Sequence, residues 1–245
     1  MNEELVSERR NVEQGQLVMP FYLICDVSYS MFDVMPALND SLQRLRRAIV
    51  AQPIVDEVAH ICVMTFSDSA KVVMPLGQMS ERSVPTLSVE GGTDYGSAFR
   101  ELAHTIPRDA TALKQQGYKI YRPCAFFLTD GEPLDRDWWE TFKNTLTYNR
   151  TTGVGMKQHP VFVPFGFREA PEDVLKKLAY PLEKGKWYHS RSDDIEQALA
   201  GILKIIMNTV VSSGMSSQSG KPAHVHAAAV PGMASGAADD YIDEI

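Results

Sequence analysis

The sequence predicts a three-layer α/β domain: an open, doubly wound, mostly parallel sheet with helices on both faces and one short antiparallel edge strand. Three observations carry this prediction. Five short, almost continuously apolar runs have the character of strands covered on both sides. Segments with helical spacing alternate with them, which is the rhythm of strand, crossover helix and parallel strand. The "SDS" at 67–69 separates two of the runs by too little chain for a crossover, so that pair is expected to be an antiparallel hairpin.

Taken in order, residues 1–18 form a polar segment and residues 19–211 the domain. "FYLICD" (21–26) is the first strand, followed by Met35, Leu38, Leu42, Leu45 and Ile49 at helical spacing, with Pro36 suited to a first turn. "HICVMTFS" (60–67) and "AKVVMPL" (70–76) form the hairpin, and 94–106 is the next helix. "CAFFLTD" (124–130), a helix over 134–148, "PVFVPFGF" (160–167) and helices over 172–180 and 193–211 complete the alternation, the last with Ser192 as its cap. From 212 to 245 serine, glycine, alanine and proline dominate and the chain ends in "DDYIDEI", the composition of a flexible tail. No internal repeat is visible.

Composition narrows the function. A chain of 245 residues buries roughly 70 to 75% of its unfolded surface, ample for a large core. The net charge is −7 and no block of lysine and arginine occurs, so nucleic acid and anionic membrane are not expected partners. The polar, acidic start lacks the basic and apolar regions of a leader, and no run approaches 18 apolar residues. Cys25, Cys62 and Cys124 lie apart in apolar runs, as buried free thiols do. A cytoplasmic protein is expected.

In a doubly wound sheet ligands bind at the carboxyl ends of the strands, and polar oxygens gather there. Asp26 closes the first strand and is followed by Ser28 and Ser30; Thr93 follows two glycines; Asp130 closes "CAFFLTD". Each segment alone reads as a turn or helix cap. Three in one chain point instead to a cation site. Every donor is a hard oxygen, which suits Mg2+, with Mn2+ and Ca2+ as alternatives.

Asp26-Val27-Ser28-Tyr29-Ser30, Thr93 within "GGTDYGSAF" and Asp130 within "FFLTDGEP" resemble, in order, the three elements of the metal-ion-dependent adhesion site of von Willebrand factor type A domains. The resemblance covers 19 to about 211. It implies a metal held directly by Ser28, Ser30 and, in some states, Thr93, with Asp26 and Asp130 acting mainly through waters. It also implies a protein partner whose Asp or Glu completes the coordination. Tyr29 replaces the glycine common at its position and narrows the approach. Tyr29, Asp94, Glu132 and Trp138 are candidates for the rim of that surface. Within the family, "LTDGEP" and the Ser30-Met31 pair are similar to bacterial TerY-like proteins of tellurium resistance and stress, which implies a module working with a kinase or phosphatase.

An enzyme is the competing class. A Mg2+-dependent phosphohydrolase needs a second acid two residues after its nucleophilic Asp, where Ser28 stands. Gly-x-Ser-x-Gly, a complete dinucleotide loop and a Walker loop are all missing. No catalytic residue is assigned. Trp138, Trp139 and Phe142 read as a helix face packed on the sheet, and His224 and His226 make a weak metal pair. Finally, a free coil from Val211 would let Asp239, Asp240, Asp243 or Glu244 reach the site.

Overall fold

Side-chain alternation along the first strand sets the layering. In the computed structural model, which describes residues 15–182, 184–192, 194–217 and 232–237, β1 spans Leu17–Asp26. Its Met19, Phe21, Leu23 and Cys25 enter one apolar cluster, while Tyr22 and Ile24 enter the other. The first cluster lies under α1 (Met35–Val50) and α6 (Ile195–Ser217), the second under α3 (Tyr95–Gln115) and α4 (Trp138–Leu146). Helices therefore cover both faces of one sheet, as the apolar runs require.

The remaining strands are β2 (Ala59–Phe66), β3 (Ala70–Gly77), β4 (Lys119–Ile120), β5 (Cys124–Thr129), β6 (Val161–Gly166), β7 (Lys186–Ser190) and β8 (Met233–Ala237). They form an eight-stranded sheet ordered β3-β2-β1-β5-β6-β7-β8, with β4 paired to β1 off this path. β1 is parallel to β2, β4 and β5, and β5, β6 and β7 continue in parallel. Both edges are antiparallel, β3 on β2 and β8 on β7, where the sequence predicts one. The order reverses between β1 and β5. That reversal opens a crevice at their carboxyl ends, the place where such a sheet binds its ligand.

Several elements depart from expectation. α3 runs through Pro107 to Gln115, although a proline favours ending the helix near 106. α2 (Pro53–Val58), β4 and β7 are too short to show a period. α5 (Glu172–Leu178) lies within its predicted span. α6 also passes, by length and a mean hydropathy of 1.5, as a membrane-crossing helix, which the run-length reading overlooks; 56% of that stretch is buried, as in a core helix.

The tail boundary at 211 is the main correction. α6 continues to Ser217, and 233–237 adds β8 to the sheet because even Ser, Gly and Ala supply the backbone groups that pair an edge strand. Ser190 pairs with Met233 and Lys186 with Ala237, so the chain runs toward the amino end of β7, away from Asp26. The predicted free coil from Val211 is therefore helical as far as Ser217 and paired in the sheet over 233–237. His224, His226 and the terminal acids lie outside the described residues, as do residues 1–14.

Buried His60 gives the fold a pH signature. Its Nε2 has no hydrogen-bond partner among the described residues, and its ring meets the Tyr118 ring at 5.8 Å. Burial pushes the imidazole down to about 4, with nearby Asp56 opposing and Arg82 adding to the shift. The folded state therefore binds its proton more weakly than the unfolded chain, whose His titrates near 6.5. Stability is full above about 6.5 and falls as pH drops through the window to about 4. His159, also pushed down to about 4 by burial, titrates in the same window. We expect urea denaturation to show this loss, and His60→Gln to make the slope between those limits shallower; an unchanged slope refutes the assignment.

Candidate metal centre

Four of the five predicted donors lie together at the crevice, and the segment that carries the fifth, Thr93, is tied to the same loops. Asp26 ends β1 and is fully buried; a charge so placed needs hydrogen bonds, and both its oxygens have them. The Ser28 N–H donates to Oδ1 at 2.8 Å and the Thr129 hydroxyl to Oδ2 at 2.8 Å. Burial pushes the Asp26 carboxyl up to about 6; the charge of Asp130 adds to this, and the bonds from Ser28 and Thr129 oppose it. In front of Asp26, the Ser28 and Ser30 hydroxyls are 3.0 Å apart and Ser30 donates to Asp130 Oδ1 at 2.7 Å. Ser28 and Asp130 are buried, and Ser30 is exposed.

Thr93 is placed by its backbone. Its carbonyl accepts from the Leu134 N–H at 2.9 Å, which ties it to the loop after β5. The Tyr29 N–H donates to the Gly91 carbonyl at 3.2 Å and the Glu90 N–H to the Val27 carbonyl at 2.6 Å, which ties the same segment to the loop after β1. Glycine is needed here: Gly91 has φ +53°, and a side chain on it would collide with Asp68, which accepts from the Gly92 N–H at 2.8 Å. Among the described hydrogen bonds, none joins the Thr93 hydroxyl to the other four donors.

The four rim candidates divide between exposed and packed positions. Tyr29 is 71% exposed and Glu132 is exposed, as a contact surface requires. Asp94, which stands beside the metal loops and reads in the sequence as a cap as well as a rim acid, caps α3, accepting from the Ser97 N–H at 2.6 Å, because a helix start leaves N–H groups without partners. Trp138 is half-buried and packs edge-on against Tyr95. Two apolar side chains that sequence reasoning passed over, Phe32 (73% exposed) and Leu134 (72% exposed), sit on the metal loops with Tyr29. Neither has a periodic signal, since loops have no period.

Supporting residues were missed as well. Tyr95 is fully buried and its hydroxyl lies 3.1 Å from Thr129 Oγ1 and 2.8 Å from the Gly131 carbonyl. Asp135 accepts from the Tyr95 and Gly96 N–H groups, both at 2.9 Å, and so fixes the helix that follows Thr93. Thr129 was legible in "LTD" as the residue beside Asp130; Asp135 and Tyr95 only become partners through the fold. A cavity of about 1030 Å³ opens at the opposite edge of the sheet, between Glu57, His60, Arg82 and Tyr118, remote from these loops.

A solved von Willebrand factor type A structure from Catenulispora acidiphila superimposes on 80% of the chain at a TM-score of 0.54 and 16% identity, with 43% of its own length covered. The fold is that of a von Willebrand factor type A domain. Two further matches are proximal thread matrix protein 1 from the mussel byssus and the pilus adhesin SpaC from Lactobacillus rhamnosus GG. Each has a TM-score of 0.53 and 13% identity and covers 82% of the chain, with 49% and 30% of the respective partner covered. The chain spans less than half the length of these solved chains. No protein-family model and no curated protein matches it.

The donor set fits a hard divalent cation. Two hydroxyls and a carboxylate stand in a hydrogen-bonded row, with a second, buried carboxylate behind them. Among the described residues no group of three His, Cys, Asp or Glu side chains forms a softer or more acidic alternative.

Proposed function

We propose that this type A domain is a divalent-metal-dependent protein-interaction module, with Ser28, Ser30 and Thr93 as direct ligands and Asp26 and Asp130 acting through waters. The observation that carries the reading is the row Ser28–Ser30–Asp130 at 3.0 and 2.7 Å on the crevice at the order reversal of the sheet. Mg2+ is the proposed ion because hard oxygens in small number, with room left for water, suit it. Bound there, the ion supplies a Lewis-acid position for a partner's Asp or Glu. Tyr29, Phe32 and Leu134 supply apolar contact around it, so the partner's acid is expected to be flanked by apolar side chains.

Asp26 supports a binding role over a phosphohydrolase. A nucleophile must present an oxygen to substrate, and both oxygens of this buried carboxylate accept hydrogen bonds from the protein. The resemblance to TerY-like proteins supports a role in bacterial stress or tellurium-resistance signalling beside a kinase or phosphatase. Three buried free thiols support a reducing, cytoplasmic setting.

A pull-down from native lysate tests the reading: capture is expected with Mg2+ and lost in EDTA, and capture indifferent to EDTA refutes it. Ser30→Ala is expected to weaken Mg2+ binding more than Thr93→Ala, because Ser30 already belongs to the bonded row and Thr93 does not. Calorimetry reads the difference, and equal losses contradict the division of roles.

A further inference from the structure

The turn after β6 brings a cation to the site. Phe167 N–H donates to the Thr129 carbonyl at 3.3 Å and Glu169 N–H to the Asp130 carbonyl at 3.1 Å, so the turn is fastened to the loop that carries Asp130. Between these two bonds stands Arg168, with φ +54°, a left-handed conformation that a residue with a side chain adopts only at an energetic cost. Its Nη1 lies 3.5 Å from Asp130 Oδ2 and donates to the Ser30 carbonyl at 3.1 Å. Asp33 grips the same guanidinium from the outer side, at 3.1 Å from Nη1 and 2.5 Å from Nη2.

We infer that Arg168 is a built-in counter-cation of the centre, which balances Asp130 in the metal-free protein and holds the affinity for a divalent cation down. This rests on the metal-binding reading of the same residues. Both Asp130 oxygens are engaged, Oδ1 by the Ser30 hydroxyl and Oδ2 by the guanidinium. A divalent cation drawn to this carboxylate meets a fixed positive charge already beside it, and like charges close together in a half-buried setting repel. The guanidinium cannot relieve this by losing its proton, since arginine stays charged, and its bonds to Asp33 hold it further in the charged form. It has one route of escape, which is to lean away toward Asp33; the side chain of Asp33 is 60% exposed and free to follow it. A strained backbone held by two hydrogen bonds, at the residue that carries the charge, is the kind of local cost found where a side chain is needed in one place.

A purely mechanical staple predicts the opposite result. If Arg168 only pins the turn to the Ser30–Asp33 segment, removing it loosens the donors and weakens metal binding. If its charge opposes the metal, removing the charge strengthens binding. Mg2+ titration by calorimetry on the full chain therefore separates them. Arg168→Gln is expected to bind about three- to tenfold more tightly than the unaltered protein, and Arg168→Lys, which keeps the charge, to stay within about twofold. The Mg2+-induced rise in melting temperature should likewise be larger for Arg168→Gln, since its metal-free form has lost the counter-charge. Affinity in Arg168→Gln equal to or below that of the unaltered protein overturns the inference while leaving the metal site in place. Absence of Mg2+ binding in the unaltered protein overturns the site itself, and this inference with it.

Discussion

Asp26→Asn is expected to weaken Mg2+ binding by about ten- to a hundredfold, the range typical when a group that orients metal ligands is removed, while the fold stands. The side chain lies behind the Ser28–Ser30 row and fixes it through the Ser28 N–H at 2.8 Å, and an amide oxygen can still accept that bond. What the amide removes is the negative charge. In the metal-free protein that charge is a burden: burial pushes the carboxyl up to about 6 from an ordinary 3.8. A carboxyl raised in the folded state stabilises the fold below about 3.8, and that contribution is lost as pH rises through about 6. At pH 7.5 the asparagine variant without metal should therefore melt no lower than the unaltered protein. Calorimetry and a thermal melt check the two halves together, and retained Mg2+ affinity contradicts the role given to Asp26.

The largest stability loss is expected from Phe127→Ala, about 3 to 5 kcal/mol by denaturant titration, a considerable fraction of the 5 to 15 typical of a domain. Phe127 is fully buried, stacked on Phe66 at 4.8 Å between ring centroids and met edge-on by Tyr95, also at 4.8 Å. Phe99 and Phe162 each lie at 5.7 Å, so little could move in to fill the space left. The loss should extend to the metal loops, because the Tyr95 hydroxyl holds the Gly131 carbonyl at 2.8 Å. A loss below about 1 kcal/mol would mean that these rings collapse freely into the gap.

Much of this was legible in the chain because burial on both faces leaves unbroken apolar runs. "FYLICD" and "CAFFLTD" mark β1 and β5, and the acids that end them mark the crevice. "KWYHS" and "MASGA" gave no comparable signal: an edge strand such as β8 is held by backbone pairing, which any composition can supply. Pro107 misled in the other direction, as helix α3 continues past it, with Thr111 Oγ1 bonded to its carbonyl at 2.8 Å. At the site, the donors are close in sequence to strand ends and could be found. Their supports could not, since Arg168 stands 38 residues from Asp130 and 135 from Asp33 and joins them only across the folded loops.

One divalent ion is expected among the oxygens of Asp26, Ser28, Ser30, Thr93 and Asp130. Crystals grown with Mn2+, an ion of the same hard-oxygen preference that scatters anomalously, test it most directly. An anomalous peak is expected within bonding distance of the Ser28 and Ser30 hydroxyls, absent from crystals of Asp26→Asn. No peak at these hydroxyls, or a peak held elsewhere on the domain, would contradict it.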